Sequence, residues 1–148
     1  MKPVWFVVLV PMAMLAQAPA EAQLQAQATM KQLMLDLIHP AANDILLFVN
    51  SGAPKSEQEW AGVRRSGLTL TESGNLLMMR GRSREGDWPK DSKMLADVGM
   101  AAYQAAQAKD FPALAALADA LDSSCTTCHK QYRPNVFPRS AATTGGSK

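Results

Sequence analysis

Apolar residues recur along this chain at the spacing of an α-helix, which limits the fold more than any other feature of the sequence. The clearest series consists of Trp60, Val63, Gly67, Leu70, Gly74 and Leu77, which follow one another at alternating intervals of three and four positions. Residues at these intervals share one face of a helix. Beyond residue 20, β-branched and aromatic residues are sparse and no strand-like alternation persists. The sequence therefore predicts an all-α fold.

The first helical segment is expected to start at about Ala22. Its apolar face consists of Met30, Leu33, Met34, Leu37 and Ile38. Pro40 lacks a backbone donor and should kink or interrupt this segment, after which the apolar pattern resumes at Ile45. Turn-forming residues between Asn50 and Pro54 then predict a loop.

Three more segments follow the first. Ser56, with a glutamate three positions later, forms a capping box at the start of the second. The third should start near Asp91 or Ser92, and its small residues would allow close helix approach. The fourth should begin at Asp110 to Pro112 and stop before Pro134, with Leu114, Leu117, Leu121, Cys125 and Cys128 facing inward. Four amphipathic segments with short connections predict an antiparallel four-helix bundle.

The connection between the second and third segments is polar. Residues 81–89 carry charges, glycine and proline, which are typical of a solvated turn with little to bury. Trp88 is the exception, and we expect its ring to cover the core.

Composition and the N-terminal stretch indicate one small exported domain. The chain has 148 residues, 47% of them hydrophobic and 19% charged, which suits a single globular core. The apolar stretch from Val4 to Leu15, followed by small residues, predicts a signal peptide over residues 1–20, cleaved after Ala20 or Ala22, before a bundle domain over residues 21–148. The stretch is shorter than the roughly 20 residues of a spanning helix, so no stable membrane span is expected after processing. A net charge of +2 without a basic run argues against a nucleic-acid partner.

The last segment contains the motif that carries chemistry. Cys125 and Cys128 are three positions apart and His129 follows at once, so all three share one helical face. Two thiols at this spacing can add to the two vinyl groups of haem, and the next imidazole then lies beneath the iron. The sequence predicts one covalent haem c, with Cys125 and Cys128 as thioethers and His129 as the proximal iron ligand.

Other uses of this motif fit the chain less well. A thioredoxin-type dithiol belongs with a βαβ pattern, which this sequence lacks. A zinc site needs a fourth ligand, and the only other histidine, His39, is distant in sequence.

The nine residues Cys125-Thr126-Thr127-Cys128-His129-Lys130-Gln131-Tyr132-Arg133 resemble the C-x-x-C-H-x-x-[FY]-R pattern of the class II cytochromes c, which include cytochrome c prime and its low-spin relatives. The resemblance implies a four-helix bundle with haem c near the C-terminal end of the last helix. It also implies that Arg133 lies near the haem edge, where a guanidinium could offset a propionate. A cation stabilised by the helix dipole is the alternative interpretation of Arg133.

In the family, a residue of the first helix decides the sixth iron position. An apolar residue there leaves five-coordinate iron that binds nitric oxide or carbon monoxide, as in cytochrome c prime, whereas a methionine ligates the iron in the low-spin relatives. Met30 and Met34 occupy the comparable region here, four positions apart. We expect Met34 to be the distal ligand and Met30 to be the fallback; a core role for either, and ligation by His39, are the alternatives.

The resemblance implies a periplasmic protein that transfers single electrons to redox partner proteins, with the five-coordinate gas-binding protein as the alternative. Antiparallel dimers occur in the family through the faces of the first two helices, so a homodimer is compatible with it. No acid, base or nucleophile constellation is visible in the sequence, so an enzyme is not expected.

Overall fold

The computed structural model describes residues 25–136, and this part of the chain is helical without strands. Its helices are α1 (Met30–Ser51), α2 (Glu57–Leu77), α3 (Trp88–Ala108), the short α4 (Phe111–Ala115) and α5 (Ala118–Tyr132). The all-α prediction is confirmed, and the four long helices form a bundle. The predicted signal peptide, residues 1–20, and the alternative cleavage positions Ala20 and Ala22 lie outside the described residues.

Each long helix buries one face in a common core. Its most deeply buried apolar residues are Leu33, Ile45, Val63, Leu70, Ala102, Ala106, Leu114 and Leu121. The series from Trp60 to Leu77 is buried at every predicted position, so the helical spacing identified the inward face of α2 correctly.

Helices α2 and α3 run antiparallel and almost touch. A Cβ added at Gly67 would lie 2.7 Å from the backbone nitrogen of Tyr103, and one added at Gly99 would lie 2.7 Å from the backbone nitrogen of Thr71. The Thr71 hydroxyl donates to the carbonyl of Ala96 at 3.3 Å across the same contact. Only a residue without a Cβ permits this backbone approach, which confirms the expected close packing of small residues.

Helix α1 starts at Met30 and not at about Ala22, because Thr29 forms a complete capping box. The Thr29 hydroxyl accepts from the backbone N–H of Gln32 at 3.2 Å, and the Gln32 side chain accepts from the backbone N–H of Thr29 at 2.9 Å. Residues 25–29 are therefore not helical.

Helix α1 continues through Pro40, where the sequence predicted a kink or an interruption. The turns widen to π-helix geometry over Leu33–Ile38, and the N–H of His39 donates to the carbonyl of Met34, five positions back. Pro40 has no N–H to continue the four-residue pattern. The wider turn accommodates the missing hydrogen bond at Pro40, so the helix continues.

The wide turn also changes which residues face the core. Leu33 and Ile38 are buried, whereas Leu37 is 40% exposed. The prediction that Leu37 belongs to the apolar face is wrong, since it assumed ordinary α-helical spacing where the helix is wider.

Helix α3 starts at Trp88, three residues before Asp91 and four before Ser92, the two predicted starts. Pro89 is tolerated in the first turn, and the buried indole of Trp88 donates to the carbonyl of Leu77 at 2.9 Å. Trp88 is 3% exposed, so its expected place over the core is confirmed.

The fourth predicted segment is divided into α4 and α5. Asp110 caps α4 by accepting from the N–H of Ala113 at 3.0 Å, as its position predicted. The helix then tightens, with the N–H of Leu117 donating to Leu114 three positions back, before α5 begins. The last helix ends at Tyr132, before Pro134, as expected.

Helix α1 is long and apolar enough to cross a membrane, with a mean hydropathy of 1.2 over its most apolar window. Core helices of soluble proteins also meet this criterion. In this structure it contributes Leu33, Ile38 and Ile45 to the core of the bundle.

We predict that Gly99→Ala lowers the free energy of unfolding by about 1–3 kcal/mol, because the new methyl group would overlap the backbone of α2. Gly62→Ala is the matched control, since its Cβ would find only the end of Arg65 at 3.9 Å. That control should raise stability by about 0.5–1 kcal/mol through helix propensity. Urea unfolding of both variants measures the difference, and equal effects would contradict the packing.

Candidate functional site

The predicted haem ligands of α1 and α5 meet at one small cavity, which is bounded by α1, α2, α3 and α5. It is lined by Met34, Ile38, Leu77, Asp91, Leu95, Ser124, Cys125, Cys128 and His129. The structure thus brings together both cysteines, the histidine that follows them and the methionine expected on the far side of the iron. Most of the remaining lining is aliphatic.

Cys125, Cys128 and His129 lie on one face of α5, and this face lines the cavity. Cys128 is buried at 9% exposure, and Cys125 and His129 are half-buried. No disulfide joins the two sulfurs. Ser124, on the same face, donates to the carbonyl of Leu121 at 2.7 Å and contacts the sulfur of Cys125 at 3.9 Å.

Burial keeps the motif uncharged. It raises the pKa of the Cys128 thiol to about 11, with nearby Asp91 adding to the shift. Burial likewise raises the pKa of Cys125. It lowers the pKa of His129, which the positive charge of Arg133 lowers further. The imidazole is therefore held neutral, the form that ligates a metal, and the thiols are held protonated.

Met34 lies within the widened turn of α1 and is half-buried against the core. Met30, the fallback ligand, is one turn earlier and lines a different cavity with residues of the connection between α2 and α3. The fold thus separates the two methionines, and Met34, which the sequence favoured over Met30, is the one that shares a cavity with His129.

The other predicted site residues lie outside this cavity. His39 is exposed, with its ring nitrogens 3.4 Å from the side-chain nitrogen of Asn43. Arg133 is exposed just after α5, and its backbone N–H donates to the carbonyl of His129 at 2.8 Å. Its guanidinium is near enough to affect His129 electrostatically, without lining the cavity.

Asp91 is a site residue whose sequence position predicts only a helix start. It is 2% exposed, lines the cavity, and its Oδ2 has no hydrogen-bond partner within residues 25–136. Burial raises the pKa of this carboxyl, and neighbouring Asp87 raises it further. The helix begins at Trp88, with Pro89 in its first turn, and this start places Asp91 on the inward face. The burial of Asp91 can therefore be predicted only once the helix start is known.

The residues present fit a c-type haem in chemistry. Two thiols and a neutral imidazole lie on one wall, a thioether lies on α1, and the aliphatic side chains would exclude water from the iron. The cavity volume is about 30 Å³, which is one water molecule's share of liquid. This volume is smaller than a porphyrin, so the fit concerns the chemistry of the lining and not its size.

Comparison with protein-family models, with curated proteins and with solved structures found no match to this chain.

We predict that Asp91→Asn makes the fold more stable at neutral pH and has no such effect in acid. A raised pKa in the folded state means that Asp91 contributes stability below its unfolded pKa, and that this is lost as pH rises through the folded pKa. The gain at about pH 7 should be on the order of 1 kcal/mol and should vanish near pH 3.

The measurement is urea unfolding at both pH values. Glu72→Gln, which neutralises an exposed carboxylate on α2, is the control and should show no comparable gain. An Asp91→Asn variant that is less stable than the parent at neutral pH would show that the carboxylate is a favourable part of the fold.

Proposed function

We propose that this chain is an exported c-type cytochrome that carries one covalent haem and transfers single electrons. Cys125 and Cys128 would form the thioethers, His129 would be the proximal ligand and Met34 the distal ligand. The observation that supports this most is the shared cavity, lined by Met34 from α1 and by the three motif residues from α5.

Haem, when bound, supplies the one-electron chemistry of its iron. The chain's own residues set the conditions for it. The neutral imidazole of His129 offers a lone pair, and the thioether of Met34 offers a weaker donor that favours ferrous iron. Ile38, Leu77 and Leu95 keep water from the site and disfavour the extra charge of ferric iron. Both effects raise the reduction potential.

The thiol chemistry argues against a redox dithiol. The reactive cysteine of such a pair has a lowered pKa, because a nearby positive charge stabilises its thiolate. Burial here raises the pKa of Cys128 to about 11, and Asp91 adds a negative charge beside it. Thioether formation consumes the thiol, so it requires no stable thiolate in the finished protein.

A gas-binding protein with five-coordinate iron is the second candidate. It shares the cysteines and His129 with the first, and differs in whether a protein ligand occupies the sixth position. The position of Met34 in the cavity favours six-coordinate iron. The proposed periplasmic location and redox partners rest on the predicted signal peptide and on the family resemblance.

We predict that the haem protein has a low-spin ferrous spectrum and binds carbon monoxide poorly. Met34→Ala should convert it to a high-spin form that takes up about one carbon monoxide per haem, because the sixth position is then open. Met30→Ala is the matched control: the same side chain is removed one turn away, outside the cavity, and the spectrum should stay low-spin.

Optical spectra of the ferric and ferrous states, before and after carbon monoxide, make this comparison. A high-spin parent protein that binds the gas readily, with a spectrum unchanged by Met34→Ala, would contradict Met34 ligation and favour the gas-binding candidate. A switch caused by Met30→Ala and not by Met34→Ala would assign the ligand to Met30.

A further inference from the structure

A second cavity, of about 390 Å³, is formed where the chain before α1 crosses the connection between α2 and α3. Residues 26–30 and 81–84 line it, and we call residues 81–84 the arginine loop. Two of its four residues, Arg82 and Arg84, are cationic, whereas none of the described residues that line this cavity is acidic.

Arg82 is buried, and no acidic side chain of residues 25–136 forms an ion pair with it. It is 7% exposed, and its guanidinium donates to the carbonyl of Ala28 at 2.7 Å and to the carbonyl of Leu76 at 3.3 Å. Its Nε has no hydrogen-bond partner among the described residues. A buried cation that contacts only neutral acceptors is costly, and a negative group reaching it would offset that cost.

The arginine loop lies next to the haem cavity. Met30 lines the cavity of the loop and Met34 lines the haem cavity, one helical turn further along α1. Leu76, whose carbonyl accepts from Arg82, precedes Leu77 of the haem cavity. A ligand that fills the haem cavity could therefore extend polar groups into the cavity of the arginine loop.

Arg84 connects the arginine loop, through Trp88, to Tyr132 of α5. Its guanidinium lies 5.5 Å from the centre of the Trp88 ring, which packs edge-on against Tyr132 of α5 at 4.9 Å. The hydroxyl of Tyr132 donates to the carbonyl of Glu85 at 2.7 Å, immediately after the loop. The loop is thus fixed to the helix that carries the cysteine motif.

We propose that the arginine loop is a carboxylate-binding site and that its ligands are the two propionates of the haem. This rests on the proposed function, since haem is the dicarboxylate that the neighbouring cavity implies. Arg82 would donate its free Nε–H in a charge-assisted hydrogen bond, and Arg84 would supply the second positive charge.

The test uses the full chain with Cys125→Ala and Cys128→Ala, so that haem binds without covalent attachment, and compares haem with its dimethyl ester. The ester keeps the macrocycle and blocks both carboxylates. We expect haem to bind at least about tenfold more tightly than the ester in an absorbance titration. Equal affinities would overturn the proposal, and this comparison requires no arginine variant to fold.

Arginine variants in the same background identify the residue. Arg82→Gln should remove the preference for haem over its ester, whereas Arg80→Gln, an exposed arginine just before the loop, should leave it unchanged. If Arg82→Gln weakens haem and ester by the same factor, Arg82 is only structural and the proposal fails.

A free anion is the other source of the same chemistry. Millimolar glutarate should not raise the Tm of the protein carrying covalent haem, because the propionates already occupy the loop. A rise that Arg82→Gln abolishes would make the loop a site for free carboxylates and overturn the propionate assignment. Absence of binding by both haem and ester would contradict a preformed haem site beside the loop and, with it, the propionate assignment, whereas the proposed function fails only if the parent chain carries no covalent haem.

Discussion

The arrangement of the site depends on the burial of Trp88, because this one side chain joins the elements around both cavities. Its indole N–H satisfies the carbonyl of Leu77 at the end of α2, and its ring packs edge-on against Tyr132 near the end of α5. The ring also contacts the guanidinium of Arg84 in the arginine loop, 5.5 Å from its centre. With this ring in place, the start of α3 is fixed, and Asp91 and Leu95 follow on its inward face.

Much of the fold could be predicted because helical periodicity repeats over many residues. The buried face of α2, the capping box at Ser56 and the shared face of Cys125 and His129 all follow from spacing alone. The effect of Pro40 could not be predicted in the same way. A kink, a break and a widened turn all accommodate its missing N–H, and the packing of Leu33 and Ile38 decides among them.

The burial of Arg82 and Asp91 could not be predicted from the sequence, for a related reason. Arg82 lies in a stretch whose composition is that of a solvated turn, and it is buried only because the segment before α1 crosses it. Asp91 resembles a helix cap until the start of α3 at Trp88 is known. Both are consequences of tertiary packing. Both destabilise the fold unless another group compensates them, since Oδ2 of Asp91 and Nε of Arg82 lack partners within the described residues.

The central claim is that the cysteine pair on α5 holds a haem, and the most direct test is the mass of the purified chain. The protein should be produced in a host that attaches haem to cytochromes c, and its intact mass measured after denaturation. The account predicts a chain heavier by one haem, with the haem absorbance remaining on the polypeptide and no thiol free to react. A chain with the mass of the polypeptide alone and two reactive thiols would contradict it.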